Sequence, residues 1–467
     1  YTAVEVSGNH PTRLPHPSST MADVNIIVPT EDDSIIYACT YTDNEILAHI
    51  PKGEHGEGIY AWSLNGKTGK LTGPLAINEV TPNPAFLLKH PTKDVIYAST
   101  ECIHKEECGE IISLAATPDG SLKELGRVSA GGRSTCYLTM HKSNAVMAAV
   151  NYWDAIVTLL PVNKSDGVVK PVCNSHMQPG AQYVFDKNPD RVEHWTHRQR
   201  WPHTHCFVTE PYNKRFHFVP DLGVDKIWWY SIDTTKGAGE LVLHGGVQLK
   251  KEQGPRHAVF HPRVRSMYIV NELKSTVSVL KYQEKVPDSV STEVLEEDSM
   301  DPSATLAHYQ TLRTLPDDFE SNDHHKSHAS EIRLHPSGKF LFIANRGHDS
   351  IAVYSIDEAN HGELTLVSIT PSGGVFPRNF NFAGKFVVVG NQNSNNLTVF
   401  DFDMDQGTMK VVDTAAQPSP NFIFALPASC LSAPPKRLSM RVHIGLLLFF
   451  LVFWIYAAFF VGHRADL

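Results

Sequence analysis

The sequence has few of the features that would identify a common function class. No basic patch stands out and the net charge is −9, so a nucleic-acid partner is not expected. Cysteine is scarce: seven residues (Cys39, Cys102, Cys108, Cys136, Cys173, Cys206 and Cys430) in 467, an odd number without a CxxC pair. In a chain this long, that usage reads as a reduced compartment rather than a disulfide framework. There is no GxSxG, and hence no serine nucleophile elbow. Long amphipathic helical stretches are missing too, which points away from α and α/β architectures. Residues 1–22 are polar with no apolar core, so they read as a disordered leader without a secretory signal.

Apolar residues make up 42% of the chain, enough for a real core. From about residue 23 to 425 short runs of Val, Ile, Tyr, Phe and Leu alternate with turn signals such as HPTKD, HPSGK, DLGVD and NRGHDS. This pattern argues for an all-β domain. The runs also repeat. HCFVTEPYNKRFHFVPDLGVDKIWWYSID from His205, RHAVFHPRVRSMYIVNELKSTVSVLKY from Arg256 and SEIRLHPSGKFLFIANRGHDSIAVYSID from Ser330 share one form. Each has a strand, a Pro-containing turn, a second strand, a polar corner and a third strand. FLLKHPTKDVIYASTECIHK from Phe86 follows the same form, with weaker copies from Cys136, from Arg378 and over about Ile26–Leu64. Seven such units, spaced near 50 residues, predict a seven-bladed β-propeller. Ring closure is expected from either the strand-like FIFAL from Phe422 or the N-terminal IIV. Two stretches break the period, Cys173–Trp201 and the acidic Glu284–Asp323, and both read as surface loops.

The C-terminus has a different character. Ile444–Val461 is 18 residues without a charge, with Lys436, Arg437 and Arg441 before it and Arg464 after it. The expectation is a basic linker over 426–443 and a transmembrane helix over 444–461. The positive-inside bias then leaves the propeller on the cytoplasmic side of an intracellular membrane, as in a tail anchor.

The repeat register selects candidate site residues. Six residues before the turn prolines stand His205, Arg256 and Ser330; ten after them stand Glu101, Asp221, Glu272 and Arg346. Both sets lie about eight residues from the turn centre, so both should emerge opposite the turns, at one mouth of the channel. His205, Arg256, Glu272, Asp221 and Arg346 are therefore expected to converge there, with His203 further outward. A lone histidine at a strand start is more often structural, and a corner Asp or Glu often just caps a turn. It is the joint occurrence of His, two Arg and Glu that singles out the site.

At these residues the chain resembles the lactonase-type seven-bladed β-propellers, which include 6-phosphogluconolactonases and 3-carboxy-cis,cis-muconate lactonizing enzymes. The matching segments are WPHTHCFVTEP with DLGVDKIWWY, GPRHAVFHP with YIVNE, SEIRLHPSGKFLFIANRGHDSIAVYSID, and VFPRN with GNQNSNNLTVF, over roughly residues 23–425. The resemblance implies lactone hydrolysis or lactonization of a small anionic sugar acid or dicarboxylate, with no cofactor and no metal. The site proposed for the muconate branch matches His205, Arg256, Glu272 and Arg346, whereas His203 in PHTH looks more like the phosphogluconolactonase branch. His205 is the candidate for proton transfer. Arg256 and Arg346 would clamp the anion, and Glu272 would orient His205, hold a substrate hydroxyl or neutralise Arg256. His203, Asn345 and Gln392 are further substrate contacts. Arg378 belongs to the same set, on a hairpin (PRNFNFAGKF) about two residues shorter than the usual PRxFxxDPxGK. Two alternatives remain open at this point. One is a metal-dependent lactonase using His203 and His205 with Glu101, Asp221 or His324, His325 and His328. The other is a non-catalytic membrane-anchored scaffold.

Overall fold

The computed structural model describes residues 32–431 apart from 104–108, 182–197, 200, 236, 285–290, 295–304 and 321–325. The expected leader and the 444–461 segment lie outside the described residues, as do His324 and His325. Among the described residues no helix is long and apolar enough to cross a membrane.

Seven antiparallel sheets follow one another along the chain. Blade 2 is made of Pro84–Lys89, Val95–Thr100, Glu110–Ala116 and Leu122–Ser129. Blade 3 is Thr135–Met140, Val146–Asn151, Ile156–Pro161 and Asn174–Met177. Blade 4 is Val208–Thr209, Phe216–Asp221, Lys226–Asp233 and Glu240–Gln248, widened by a parallel strand, Ser291–Val294. Blade 5 is Pro255–Phe260, Ser266–Asn271, Thr276–Tyr282 and Leu306–Arg313. Blade 6 is His328–Leu334, Phe340–Arg346, Ser350–Asp357 and Glu363–Pro371. Blade 7 is Pro377–Ala383, Phe386–Asn391, Asn396–Asp403 and Thr408–Ala416.

Blade 1 takes three strands from the start of this span, Ser34–Thr40, Ile59–Leu64 and Leu71–Asn78, and its innermost strand from the other end, Pro420–Pro427. Ser34 pairs with Pro427 and Cys39 with Phe422. The C-terminal strand therefore closes the ring. It runs past the expected domain boundary at 425 and leads into a short 3-10 turn, Ala428–Cys430.

The two period-breaking stretches are not loops throughout. Asn174–Met177, the outer strand of blade 3, lies in the first, and Leu306–Arg313, the outer strand of blade 5, in the second. Outer strands have one face in water, so their side chains alternate between half-buried and exposed, as in the NSHM strand. The apolar signal that marks inner strands is diluted there. The buried apolar residues fall into clusters that each bridge two neighbouring blades. One joins Phe218 and Trp229 of blade 4 to Phe260 and Ile269 of blade 5; another joins Ile36 and Trp62 of blade 1 to Phe386 and Val388 of blade 7. A blade alone would expose both faces, so the ring is the folding unit.

Much of the histidine content is structural. In the HP turns of blades 2, 5 and 6 and the HK turn of blade 3, Nδ1 of His90, His261, His335 and His141 accepts a backbone N–H two residues on. In blade 4 the Glu210 carboxylate takes this role, accepting from Tyr212 and Asn213 at 2.8 and 2.9 Å. His261 is fully buried and also accepts from Val264 N at 3.0 Å; its Nε2–H donates to Gly338 O of blade 6 at 2.9 Å. Replacing His261 by alanine leaves two N–H groups and one carbonyl without partners. The expected cost is about 1–3 kcal/mol in denaturant unfolding; an unchanged midpoint would contradict the capping role.

Candidate active site

Two positions per blade feed one end of the channel. The first lies in the innermost strand, where an extra residue interrupts the pairing between Pro255 and Ala258, Pro377 and Asn379, and Thr135 and Tyr137. Such a bulge re-aims the extra side chain. It turns Arg256 and Arg378 towards the channel, with His205 at the corresponding place in blade 4, between the Thr204–Asp221 bridge and Val208. The second position is the residue just after the corner residue of the second strand. There stand Glu101, Tyr152, Glu272, Arg346 and Gln392. All eight side chains, with His203, line a cavity of about 990 Å³.

Two expected site residues lie elsewhere. Asn345 is fully buried at the preceding position and ties its own corner: Nδ2 donates to Thr314 O at 2.7 Å and Ser350 Oγ at 3.2 Å, while Thr314 Oγ1 donates to Oδ1 at 2.6 Å. Asp221 occupies the same position. It accepts from His203 N at 2.7 Å, Gly223 N at 3.1 Å and Trp228 Nε1 at 3.1 Å. The EPYNKRF turn holds one residue more than HPRVRS, so ten residues past its proline falls one position short. In a strand, one position is the opposite face. Leu222 is the true counterpart of Glu272. The shorter hairpin of blade 7 is confirmed by the pairing of Ala383 with Phe386, yet Arg378 still reaches the cavity.

Glu272, 1% exposed, is the centre of the charge arrangement. Its carboxylate accepts from Arg198 Nη1, lies 2.9 Å from Arg346 Nη2, and lies 3.1 Å from Arg256 Nε in an ion-pair contact not aligned as a hydrogen bond. Burial alone would raise this carboxyl, but Arg198, Arg346 and Arg256 together hold it well below the usual carboxylate range. Burial draws Arg346 down to about 9 with Glu272 opposing, so it remains a cation at neutral pH. The three guanidiniums have further tethers. Arg198 Nη2 donates to Tyr152 Oη at 2.9 Å, Arg256 Nη1 to Ser330 O at 2.6 Å, and Arg346 Nη2 to Ala329 O at 3.1 Å.

A second chain of contacts runs through His205. Its Nδ1 lies 3.2 Å from His257 Nε2; His257 Nδ1 lies 3.4 Å from Glu331 Oε1; and Glu331 Oε2 accepts from Asn379 Nδ2. Arg256 Nη1 is 3.2 Å from both ring nitrogens of His257, so it points along neither lone pair. Burial would raise the Glu331 carboxyl, but Arg333 and His257 hold it low, so it is an acceptor only. His257 must then carry its proton on Nδ1 and accept at Nε2. It follows that His205 donates from Nδ1 and keeps its Nε2 lone pair. Burial, with Arg256 next, holds His205 well below 6.5, and burial brings His257 to about 4, so both rings are neutral at physiological pH.

His203 stacks on Tyr152, with ring centroids 4.7 Å apart and planes 14° from parallel, and burial brings it to about 3. Its ring is fixed against a neighbour, and the Asp221 carboxylate serves backbone and indole N–H groups. No group of three His, Cys, Asp or Glu suited to a metal ion occurs among the described residues.

The repeat register did not single out Arg198, His257 or Glu331. Arg198 sits in the stretch before WPHTH, where no period applies. His257 and Glu331 are the residues next to Arg256 and Ser330. A bulge brings two consecutive residues into play, and a period-2 reading selects one.

A family model described as a seven-bladed β-propeller lactonase matches residues 35–425. The chain belongs to this family. This lactonase-family propeller is 27% identical over 369 residues to the 6-phosphogluconolactonase of Bacillus subtilis, covering 78% of this chain and 93% of that one. Its fold superimposes on a periplasmic gluconolactonase of Pseudomonas aeruginosa with a TM-score of 0.69 at 24% identity, covering 86% of this chain and 100% of the other. A protein from Lactobacillus plantarum gives a TM-score of 0.67 at 24% identity, over 84% and 99% of the two chains. These relatives lend no support to the muconate cycloisomerase branch.

Proposed function

We propose that this propeller hydrolyses the lactone of an anionic sugar acid, in the manner that the name of its Bacillus subtilis relative indicates, by acid–base chemistry of its own side chains. The observation that carries the reading is the proton order along Glu331, His257 and His205, which leaves the His205 Nε2 lone pair as the base of the cavity. In hydrolysis, Nε2 takes a proton from water as the water oxygen bonds to the lactone carbonyl carbon. The ring carbon–oxygen bond then breaks, and the proton passes from Nε2 to the departing ring oxygen. Negative charge that develops on the carbonyl oxygen is stabilised by the guanidinium groups held around Glu272. Because Glu272 fixes those guanidiniums before substrate arrives, they need little reorganisation during the reaction.

The decisive test is turnover by the full chain on 6-phosphogluconolactone, unphosphorylated gluconolactone and carboxymuconolactone, each against the buffer rate and each with and without EDTA. Ring opening of the phosphorylated lactone should exceed the buffer rate and persist in chelator. No acceleration on any lactone would refute the activity. Loss in EDTA with rescue by an added divalent ion would replace the acid–base mechanism with a metal-dependent one.

A further inference from the structure

Four guanidiniums border the cavity, and they are not equivalent. Arg198, Arg256 and Arg346 surround Glu272 and are tethered to Tyr152 and to backbone carbonyls. Arg378 is different. Its side chain is 13% exposed, and its nearest carboxylate oxygen, Glu101 Oε1, lies 3.7 Å away, beyond hydrogen-bond reach. Glu101 is held instead by the Tyr41 hydroxyl, which donates to Oε2 at 3.3 Å. Among the described residues Arg378 makes no hydrogen bond. Its other neighbour is the face of the Tyr41 ring, 5.6 Å from the guanidinium carbon to the centroid. Its N–H donors open on the cavity rather than on a protein acceptor, so they are available to an anion there.

Two further polar groups are in the same condition. His49, from the long 41–58 corner of blade 1, lines the cavity with a buried Nε2 that has no partner. Burial, followed by the nearby Arg378 charge, holds this ring well below 6.5, so it stays neutral. A neutral imidazole can present Nε2–H to an acceptor without adding charge. Gln392, also in the cavity wall, gives one Nε2–H to Asn393 Oδ1 at 3.3 Å, which leaves its second Nε2–H without a protein acceptor among the described residues. Blades 3 to 7 turn the same corner in three or four residues and blade 2 in nine, so His49 is brought to the channel by the long corner of blade 1. Four arginines and two lysines line the cavity against three acidic residues, Glu101, Glu272 and Asp349, so the wall is cationic in sum and favours an anionic ligand.

We propose that Arg378, with His49 and Gln392, forms a phosphomonoester subsite on the cavity wall beside Glu101. Arg256 and Arg346 are then held for the reacting end rather than for gripping the anion. A guanidinium fork supplies two parallel N–H donors to phosphate oxygens, and His49 Nε2–H supplies a third. The proposal rests on the lactonase reading for the identity of the substrate, but the subsite can be tested without turnover.

The experiment is calorimetric titration of the full chain with inorganic phosphate and with 6-phosphogluconate, in the wild type, Arg378→Gln and Glu101→Gln. Arg378→Gln should weaken both ligands by about tenfold or more, and should lower by a similar factor the ratio of kcat/KM for the phosphorylated over the unphosphorylated lactone. Glu101→Gln removes the negative charge beside the subsite and should tighten both ligands. Unchanged affinity and unchanged ratio in a folded Arg378→Gln protein would overturn the proposal, as would weaker phosphate binding by Glu101→Gln. If Arg378→Gln does not fold, the Glu101→Gln titration decides alone. If no lactone is turned over, the proposed activity fails while the titrations still decide the subsite.

Discussion

A His205→Asn protein is expected to retain its fold and to lose turnover by about 10²-fold or more, the usual scale for a positioned proton-transfer group. The unchanged fold follows from where the ring sits. It fills no inter-blade cluster, and its ring hydrogen-bonds to His257. Glu331→Gln should act through it. The glutamine amide can offer either an oxygen or an N–H to His257, so the ring is no longer obliged to accept at Nε2, and the fraction of His205 with a free Nε2 falls. The loss should appear mainly in kcat, with KM little changed, because Glu331 does not line the cavity. The pH profile is a separate readout. His205 is held well below 6.5 by burial and then by Arg256, so kcat/KM of the wild type should show no inflection near 6.5 as pH falls from neutral. An inflection near 6.5 that disappears in His205→Asn would mean that the ring titrates as if in water, contrary to the buried arrangement.

Glu272→Ala is expected to destabilise the propeller by about 3–5 kcal/mol in denaturant unfolding, the range for leaving buried charge uncompensated. One carboxylate is shared by three guanidiniums from blade 5, blade 6 and the segment before blade 4, so its removal sets like charges against one another where water screens them little. Glu272→Gln keeps the shape and should recover only the hydrogen-bonding part. The same arrangement gives the pH dependence its sign. The folded-state pKa of Glu272 lies well below its ordinary 4.5. Its contribution is therefore fully present above 4.5 and is lost as pH falls from there towards the folded value. Wild type should lose stability over that acid range, and Glu272→Gln should lose less. Equal slopes for the two proteins would show that the carboxylate is not the group being titrated.

The propeller could be read from the sequence because its inner strands are buried on both faces and its turns are punctuated by HP. Phe340–Arg346 is buried along its whole length, so it stands out as an apolar run. The outer strands were not legible for the opposite reason: Asn174–Met177 and Leu306–Arg313 are half in water and carry no continuous apolar signal. At the channel, proline counting brought His205, Arg256, Glu272 and Arg346 together because three of the turns have equal length. It failed at Asp221, where one extra turn residue moved the count to the opposite face. His257 and Glu331 could not be reached by counting at all, since a bulge breaks the alternation on which counting depends. The role of Arg378 was hidden differently. That Glu272 is ringed by the other arginines is a matter of distances between blades, and no local pattern encodes it.

The strand Pro420–Pro427 has a bearing on how the chain is made. Thr40 and Pro420 pair directly although they stand 380 residues apart. At about 5–20 residues per second, a ribosome needs roughly 20–80 s to add that length. Throughout that time the inner edge of blade 1 lacks its partner, and the apolar surfaces of blades 1 and 7 cannot join around Trp62 and Phe386. Blades 2 to 6 can pack on one another as they emerge, but the cavity gains its last wall only after the closing strand has left the exit tunnel. A newly made chain thus passes through an open, unclosed arc with an unpaired strand edge, the state in which chaperone capture or mispairing with another nascent copy competes with completion.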